Sequence, residues 1–315
     1  MLNNNPYRAY WEKAQEQSLK LAQYYTPECL VELCLELLQP KGVLFDPCCG
    51  LGGFLLKGKE KDESLDISGN DIDTNLQVPF SITYGDYLQA EDQEHDYIIA
   101  NIPFNAKKNH CQLTNENFCW INKIIANTKK RALIILPAGV NCCLNSKLAE
   151  KRKQIIESGY LELVCQLPSH LFNQTGIAPV IWLINKEKTS KDIYFLNAEK
   201  FSEWKSKKRF LSEENIKQIV NKENWNLVNC EEIKEHNYIL VPIRYEKENE
   251  VKRSVEEINE ELKTTLLSLY YDEYKCLQNH VYGMENIKYL AQVESIGGID
   301  WEEIEKKCDK ELKTG

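Results

Sequence analysis

The side chains best able to do chemistry fall in four short constellations. Asp46-Pro47-Cys48-Cys49-Gly50-Leu51-Gly52-Gly53-Phe54 puts three glycines in four positions close to a carboxylate. Glycine lets backbone approach a ligand closely, and the carboxylate of Asp46 can hold the amino group of a zwitterion. Asn70-Asp71-Ile72-Asp73 offers acidic acceptors of the kind that take ribose hydroxyls in nucleoside-binding sheets. In Gly85-Asp86-Tyr87-Leu88, Asp86 can accept from an adenine amine and Tyr87 can flank the ring. Asn101-Ile102-Pro103-Phe104 offers one amine two acceptors, the side-chain oxygen of Asn101 and the backbone oxygen of Ile102. Phe104 adds a face on which a flat base can stack. Each group also has an ordinary structural reading: a strand-to-helix turn, a solvated acidic turn, an Asn-capped turn closed by an aromatic.

What joins the four is the pattern of elements around them. Short apolar runs predict strands at Val43-Leu44-Phe45, Leu65-Asp66-Ile67, Ser81-Ile82-Thr83-Tyr84 and Tyr97-Ile98-Ile99-Ala100. Further strands are predicted at Ala132 to Leu136, Leu161 to Val164, Val180 to Ile184 and Ile193 to Leu196. Helical stretches lie between several of them, notably Glu116 to Lys129 and Leu148 to Ser158. Continuous apolar strands alternating with helices predict a mostly parallel sheet covered on both faces. The four constellations then follow four successive strands, on the rim where such sheets bind ligands. The last two strands, separated by Asn185 to Asp192, predict an antiparallel hairpin at the sheet edge. Upstream, Tyr7 to Tyr24 reads as a helix. Thr26 is the expected N-cap of a second helix, Glu28 to Leu38, with Pro27 in its first turn.

The chain of 315 residues is 43% hydrophobic, enough for one large core and an appendage. Its net charge is −9, but residues 246–315 carry −7 of it and the remainder only −2. A local basic groove on the main body is therefore compatible with the acidic total. The twelve cysteines show no C-x-x-C spacing, so neither a zinc ribbon nor a thioredoxin-type pair is indicated, and free thiols fit a reducing cytosol. The N-terminus lacks the pattern of a signal peptide, and no apolar run nears the length needed to span a bilayer. A cytoplasmic location is expected. Val251, Val255, Ile258, Leu262, Thr265 and Leu269 form a heptad stripe in the acidic tail, which suits a helix seeking a partner or packing back on its own domain.

The order Tyr25-Thr26-Pro27, Asp46 through Phe54, and Asn101-Ile102-Pro103-Phe104 resembles the modification subunits of type I restriction-modification systems, which are adenine methyltransferases. The likeness continues in Ile135 to Val140, in Leu167 to Ile177, and from Glu231 through Tyr245, so that it covers roughly residues 20 to 245. It implies an α/β, doubly wound, seven-stranded S-adenosylmethionine-dependent methyltransferase fold with a C-terminal helical extension. The domains would be N-terminal helices closing over the cofactor in residues 1–40, a methyltransferase domain in 41–245 and an acidic helical docking segment in 246–315.

The resemblance further implies that Gln23, Tyr24, Tyr25, Thr26 and Pro27 close over S-adenosylmethionine. The cofactor would lie on Asp46, Cys48, Gly50, Leu51, Gly52, Gly53 and Phe54, with its ribose on Asp71 and its adenine near Asp86 and Tyr87. Asn101, Ile102, Pro103 and Phe104 would receive an adenine flipped out of double-stranded DNA, because the target amine is inaccessible inside a stacked duplex. Two acceptors favour the pyramidal nitrogen that attacks the methyl group. The sulfonium leaves readily, so positioning suffices and neither a metal nor a covalent enzyme intermediate is required. A separate specificity subunit would read the DNA site, and a restriction subunit could join it.

The sequence departs from that family at named places. Ile102 stands where the first of two prolines is usual, and Leu51 where serine is usual. Thr74 to Pro79 leaves little room for a crossover helix, and the family's N-terminal helical domain is expected to be absent. The change at Ile102 supports an alternative, a catalytically weak or inactive methyltransferase-like module that binds DNA or other subunits. Related Asn-Pro-Pro-aromatic tetrads also serve glutamine amides and RNA bases, a third possibility.

Overall fold

The computed structural model describes residues 26–103, 110–172, 178–205 and 208–246. The expected helix from Tyr7 to Tyr24, the segment Gln23 to Tyr25, Phe104, the stretch Asn173 to Ile177 and the heptad stripe from Val251 to Leu269 lie outside the described residues. The chain divides into two units, Met1–Lys247 and Glu248–Gly315, and every described element belongs to the first.

In chain order the elements are α1 (Glu28–Leu38), β1 (Val43–Asp46), α2 (Gly53–Lys61), β2 (Asp66–Asp71), β3 (Ser81–Tyr84) and β4 (His95–Asn101). Then come α3 (His110–Asn127), β5 (Thr128–Pro137), α4 (Ser146–Glu157), β6 (Leu161–Gln166), β7 (Pro179–Asn185) and β8 (Ile193–Asn197). The last are β9 (Glu203–Lys205), β10 (Lys208–Phe210), α5 (Glu213–Val220), β11 (Asn226–Val228) and α6 (Cys230–Glu235). Nine strands form one sheet in the order β11-β8-β6-β7-β5-β4-β1-β2-β3. The neighbours from β3 to β5 pair in parallel. The seven strands β3-β2-β1-β4-β5-β7-β6 make the expected doubly wound sheet, to which β8 and β11 add an edge.

The expected hairpin between Val180-Ile184 and Ile193-Leu196 is not formed. Instead β7 lies between β5 and β6, antiparallel to both, and β8 pairs in parallel with the far side of β6. The reason is burial. Six of the seven residues of β7 are buried, and a strand that apolar needs a neighbour on each side and cover on both faces. Residues 186–192 carry the chain across the start of β6, where Lys188 Nζ donates to the Leu161 carbonyl at 2.6 Å.

Period-two alternation divides the core into two layers. Tyr97 and Ile99 of β4 with Leu133 and Ile135 of β5 meet α1, α2 and α5 on one face. Ile98, Ala100, Ala132, Ile134 and Leu136 meet α3, α4 and α6 on the other. The stripe expected on α1 is buried throughout, with Leu30, Val31, Cys34 and Leu38 fully enclosed. No helix occurs in residues 72–80, as the short connection there predicts. Strand β2 runs further than its apolar start suggests. Its polar second half contains Gly69, where a Cβ would lie 2.8 Å from Cys49 Sγ; only a hydrogen fits between β2 and the turn after β1. Among the described residues no helix is long and apolar enough to cross a membrane.

Candidate active site

The carboxyl ends of β1, β2, β4, β5, β6 and β8 share one rim, because these strands run the same way. At the end of β1 the chain turns through Cys48 to Gly52 before α2 begins. Gly52 has φ +82°, a conformation that favours glycine, and a Cβ there would lie 2.3 Å from the Phe80 ring, which would have to move aside. Cys49 N–H donates to the Asn70 carbonyl at 2.9 Å and ties the turn to β2.

Asp46 ends β1 almost fully buried. Its Oδ1 accepts from the Cys48 backbone N–H at 3.0 Å. Burial pushes its carboxyl up to about 7; the Cys48 hydrogen bond opposes the rise and the charge of Asp71 adds to it. Asp71 ends β2 with both carboxylate oxygens on backbone amides. Oδ2 accepts from Gly50 N–H at 2.7 Å and Oδ1 from Asp73 N–H at 3.0 Å. A carboxylate has about four lone-pair sites, so each oxygen keeps one for a further donor in a fixed direction. Beside it Ile72 is 73% exposed, an apolar surface on the rim that the sequence alone did not single out.

Asn101 ends β4. Its amide Nδ2 donates to Thr26 Oγ1 at 2.9 Å, and its backbone carbonyl accepts from Cys48 Sγ at 3.3 Å. Thr26 was expected to cap α1, yet the N-cap is Pro27 with no side-chain cap, and its carbonyl takes the Leu30 and Val31 N–H groups instead. The threonine hydroxyl is thereby left for Asn101. Ile102 is buried among Ile98, Ala100 and Ile134, while Pro103 is exposed.

Thr26, Asp46, Cys48, Gly50, Asp71 and Asn101 therefore meet on one rim. Other expected residues are placed differently. Tyr87 is buried, stacked on Trp120 at 5.4 Å and tilted against Phe45 at 6.1 Å, with its hydroxyl accepting from Asn127 at 3.1 Å. It is a core residue of the α3 face. Asp86 is exposed and its Oδ1 closes a turn on Leu88 N–H at 3.0 Å. Phe54 is buried in the α1–α2 layer, and Leu51 is half-buried.

Chemically, a buried carboxylate beside a second carboxylate concentrates negative charge that a cationic ligand relieves. The thiols are poor nucleophiles. Burial and the charges of Asp46 and Asp71 hold Cys48 well above the usual thiol range, and burial raises Cys49 too. With its nitrogen committed to Thr26, Asn101 has its Oδ1 left as a hydrogen-bond acceptor.

The N-6 DNA Methylase family model matches residues 10–75 and 64–254. The type I restriction enzyme MjaIX methylase subunit of Methanocaldococcus jannaschii is 29% identical over 349 residues, covering 87% of this chain and 61% of its own. The corresponding HindI methylase subunit of Haemophilus influenzae is 26% identical over 292 residues, covering 74% and 65%. The chain thus spans less than two thirds of the length of these relatives. Two solved structures share the fold. The type I restriction-modification methyltransferase subunit of Streptococcus thermophilus has a TM-score of 0.63 at 22% identity, over 71% of this chain and 59% of that one. The EcoKI M protein has a TM-score of 0.56 at 16% identity, over 87% and 77%. With the family match running through the glycine turn, Asp71 and Asn101, the chain belongs to the N-6 DNA methylase family.

Proposed function

We propose that this protein transfers a methyl group from S-adenosylmethionine to the exocyclic amine of an adenine flipped out of double-stranded DNA. It would act as the modification subunit of a type I-like assembly in the cytoplasm, with site choice left to a specificity subunit and cleavage to a restriction subunit. The observation that carries the reading is the fixed amide of Asn101 at the end of β4, on the rim that bears Asp46 and Asp71.

The rim fits the cofactor. S-adenosylmethionine bears an ammonium, a sulfonium and a ribose, and the donor set offers a buried carboxylate, a second carboxylate with free lone pairs and a glycine backbone. Asp46 would hold the amino group, and Gly50, Gly52 and Gly53 would line the methionyl part with Cys48, Leu51 and Phe54. Asp71 would take the ribose hydroxyls, with Asp86 toward the adenine. Gln23 to Pro27 would close over the bound molecule. The cofactor supplies a methyl group on a good leaving group.

The protein's own work is to make adenine's amine a nucleophile. Its lone pair is delocalised into the ring. Acceptance of its two N–H bonds by Asn101 Oδ1 and the Ile102 carbonyl favours the pyramidal form in which the lone pair is available. Pro103 and Phe104 would hold the base. Hydrogen-bond acceptors fixed before the substrate arrives need no reorganisation during reaction.

The test is methyl transfer from radiolabelled S-adenosylmethionine to genomic DNA, with and without a specificity subunit, followed by base analysis. Label is expected in N6-methyladenine and absent with Asn101→Ala, whose affinity for S-adenosylhomocysteine stays within a few fold of wild type. Label in RNA or protein instead, or turnover by Asn101→Ala, would refute the assignment. The competing reading of a weak or inactive binding module rests on Ile102, and substitutions at that position separate the two.

A further inference from the structure

The segment from Glu199 to Ser212 is basic within an acidic protein. Lys200, Lys205, Lys207, Lys208 and Arg209 stand against only Glu199 and Glu203, a local net of +3 where the chain carries −9. It leaves the carboxyl end of β8, on the rim that bears Asn101, and forms the two-stranded ribbon of β9 and β10, with Arg209 directly opposite Trp204.

Trp204 is 58% exposed. It is nevertheless braced. The Arg209 guanidinium lies 5.1 Å from its ring centroid, and the imidazole of His170, from the loop after β6, lies 5.5 Å away and tilted. Arg209 is tied down in turn, with Nη1 donating to the Glu199 carbonyl at 3.2 Å and Ser202 Oγ at 3.0 Å. Its Nη2 pairs with the Glu199 carboxylate at 3.1 Å, and its backbone N–H donates to the His170 carbonyl at 3.1 Å. Arg209 is thus a structural brace, whereas Lys200 and Lys208 are exposed.

Folding usually removes an indole of this size from water, since burial of a large apolar side chain stabilises by about 2–3 kcal/mol. Here a braced indole is held out beside a guanidinium, within a basic segment. That combination suits a polyanion with apolar edges: ammonium groups take phosphate oxygens, and the indole packs on sugars and base edges. Position fits as well. From β8 to β4 are four strand spacings, about 19 Å along the rim. At 3.4 Å per base pair this is roughly five to six base pairs of duplex.

Resting on the methylation reading, we infer that the β9–β10 ribbon is a backbone contact for double-stranded DNA, reached about five to six base pairs from the adenine at Asn101, with Lys200 and Lys208 on phosphates and Trp204 against the sugars. The ribbon sets the duplex along the rim and leaves sequence choice to other contacts.

The test uses the full chain, alone and with a specificity subunit, on a labelled duplex of about 30 base pairs across a salt series. The paired substitution Lys200→Ala, Lys208→Ala is expected to weaken binding roughly tenfold and to lower the slope of log affinity against log salt by about 2. Trp204→Ala weakens binding several-fold with the slope unchanged, while Trp204→Phe and the paired Lys→Arg variant stay near wild type. All variants bind S-adenosylhomocysteine as wild type does. Wild-type affinity and slope in the paired lysine variant would overturn the ribbon contact and leave the methylation reading standing. Loss of single-stranded RNA binding with duplex binding intact would overturn it in favour of RNA. Failure of the wild-type protein to bind duplex or to methylate DNA would sink the functional reading itself, and the inference with it.

Discussion

The side-chain amide of Asn101 donates to the hydroxyl of Thr26 at 2.9 Å, across 75 residues of chain. A carboxamide is planar, with a donor at one end and an acceptor at the other. Committing the nitrogen fixes where the oxygen points. Thr26 precedes α1 and Asn101 ends β4, so this bond joins the segment proposed to close over the cofactor to the residue proposed to receive the base.

Thr26→Val keeps the shape of residue 26 and removes its hydroxyl. The expected result is a fall in kcat of roughly tenfold to hundredfold, the loss of about 1.5–3 kcal/mol of positioning, with KM for DNA little changed. Thr26→Ser should restore most of the rate. Because the hydroxyl acts through Asn101, the loss should fall on kcat and leave affinity for S-adenosylhomocysteine near wild type. Steady-state kinetics on wild type, Thr26→Val and Thr26→Ser checks this, and an equal loss in Thr26→Ser would mean that Thr26 works on something else.

Asp46 predicts a pH dependence. Its carboxyl is pushed from its ordinary 3.8 up to about 7, first by burial. A carboxyl raised on folding favours the protonated native state, so its contribution to stability is greatest at low pH and is lost as pH rises from 3.8 to about 7. A cationic ligand reverses the preference. Binding of S-adenosylmethionine should strengthen as pH rises through 7 and release a proton, which calorimetry in buffers of differing ionisation enthalpy would detect. Asp46→Asn should melt a few °C higher than wild type at pH 8, a gain that shrinks below pH 7, while its cofactor binding becomes weaker and nearly independent of pH.

Much of the fold is legible in the sequence because parallel strands buried on both faces are continuous apolar runs. Ile98 to Ala100 and Leu133 to Leu136 announce themselves, and the turns after strands of this kind carry the site. The placement of β7 and β8 is not legible, because their connecting length suits a hairpin equally well; the choice is made by burial of β7, which depends on what lies beside it. Tyr87 is hidden for a similar reason. Gly-Asp-Tyr after a strand suggests a ligand, but only the packing of Trp120 and Phe45 shows that the ring turns inward. The Thr26–Asn101 bond leaves no local signal at all, since its partners are distant in sequence and Thr26 also matches an N-cap.

Asp71 should be intolerant even of amidation. Both of its oxygens accept backbone N–H groups, from Gly50 and Asp73, and asparagine can supply only one acceptor end. Its NH₂ would face an N–H in either rotamer. Asp71→Asn is expected to lower affinity for S-adenosylhomocysteine by more than tenfold, since an unpaired donor costs about 1–3 kcal/mol and the proposed ribose acceptor is lost. The effect on kcat at saturating cofactor should be smaller. Equal losses in affinity and kcat would place Asp71 with the reacting amine rather than the cofactor.

Ile102 decides between an active enzyme and a binding module. Proline at this place would hold its carbonyl through a fixed φ; here the side chain is 1% exposed within the apolar layer of Ile98, Ala100 and Ile134, so packing holds the backbone instead. Ile102→Val should therefore be nearly silent. Ile102→Ala should lose about 2–4 kcal/mol of stability from the cavity, and its kcat should fall further than melting alone explains, because the carbonyl proposed to accept the second amine N–H is loosened. Ile102→Pro replaces one restraint by the other and should keep kcat within a few fold of wild type. A wild-type protein without methyl transfer, switched on by Ile102→Pro, would show that packing does not substitute for the ring and that the native chain serves as a binding module.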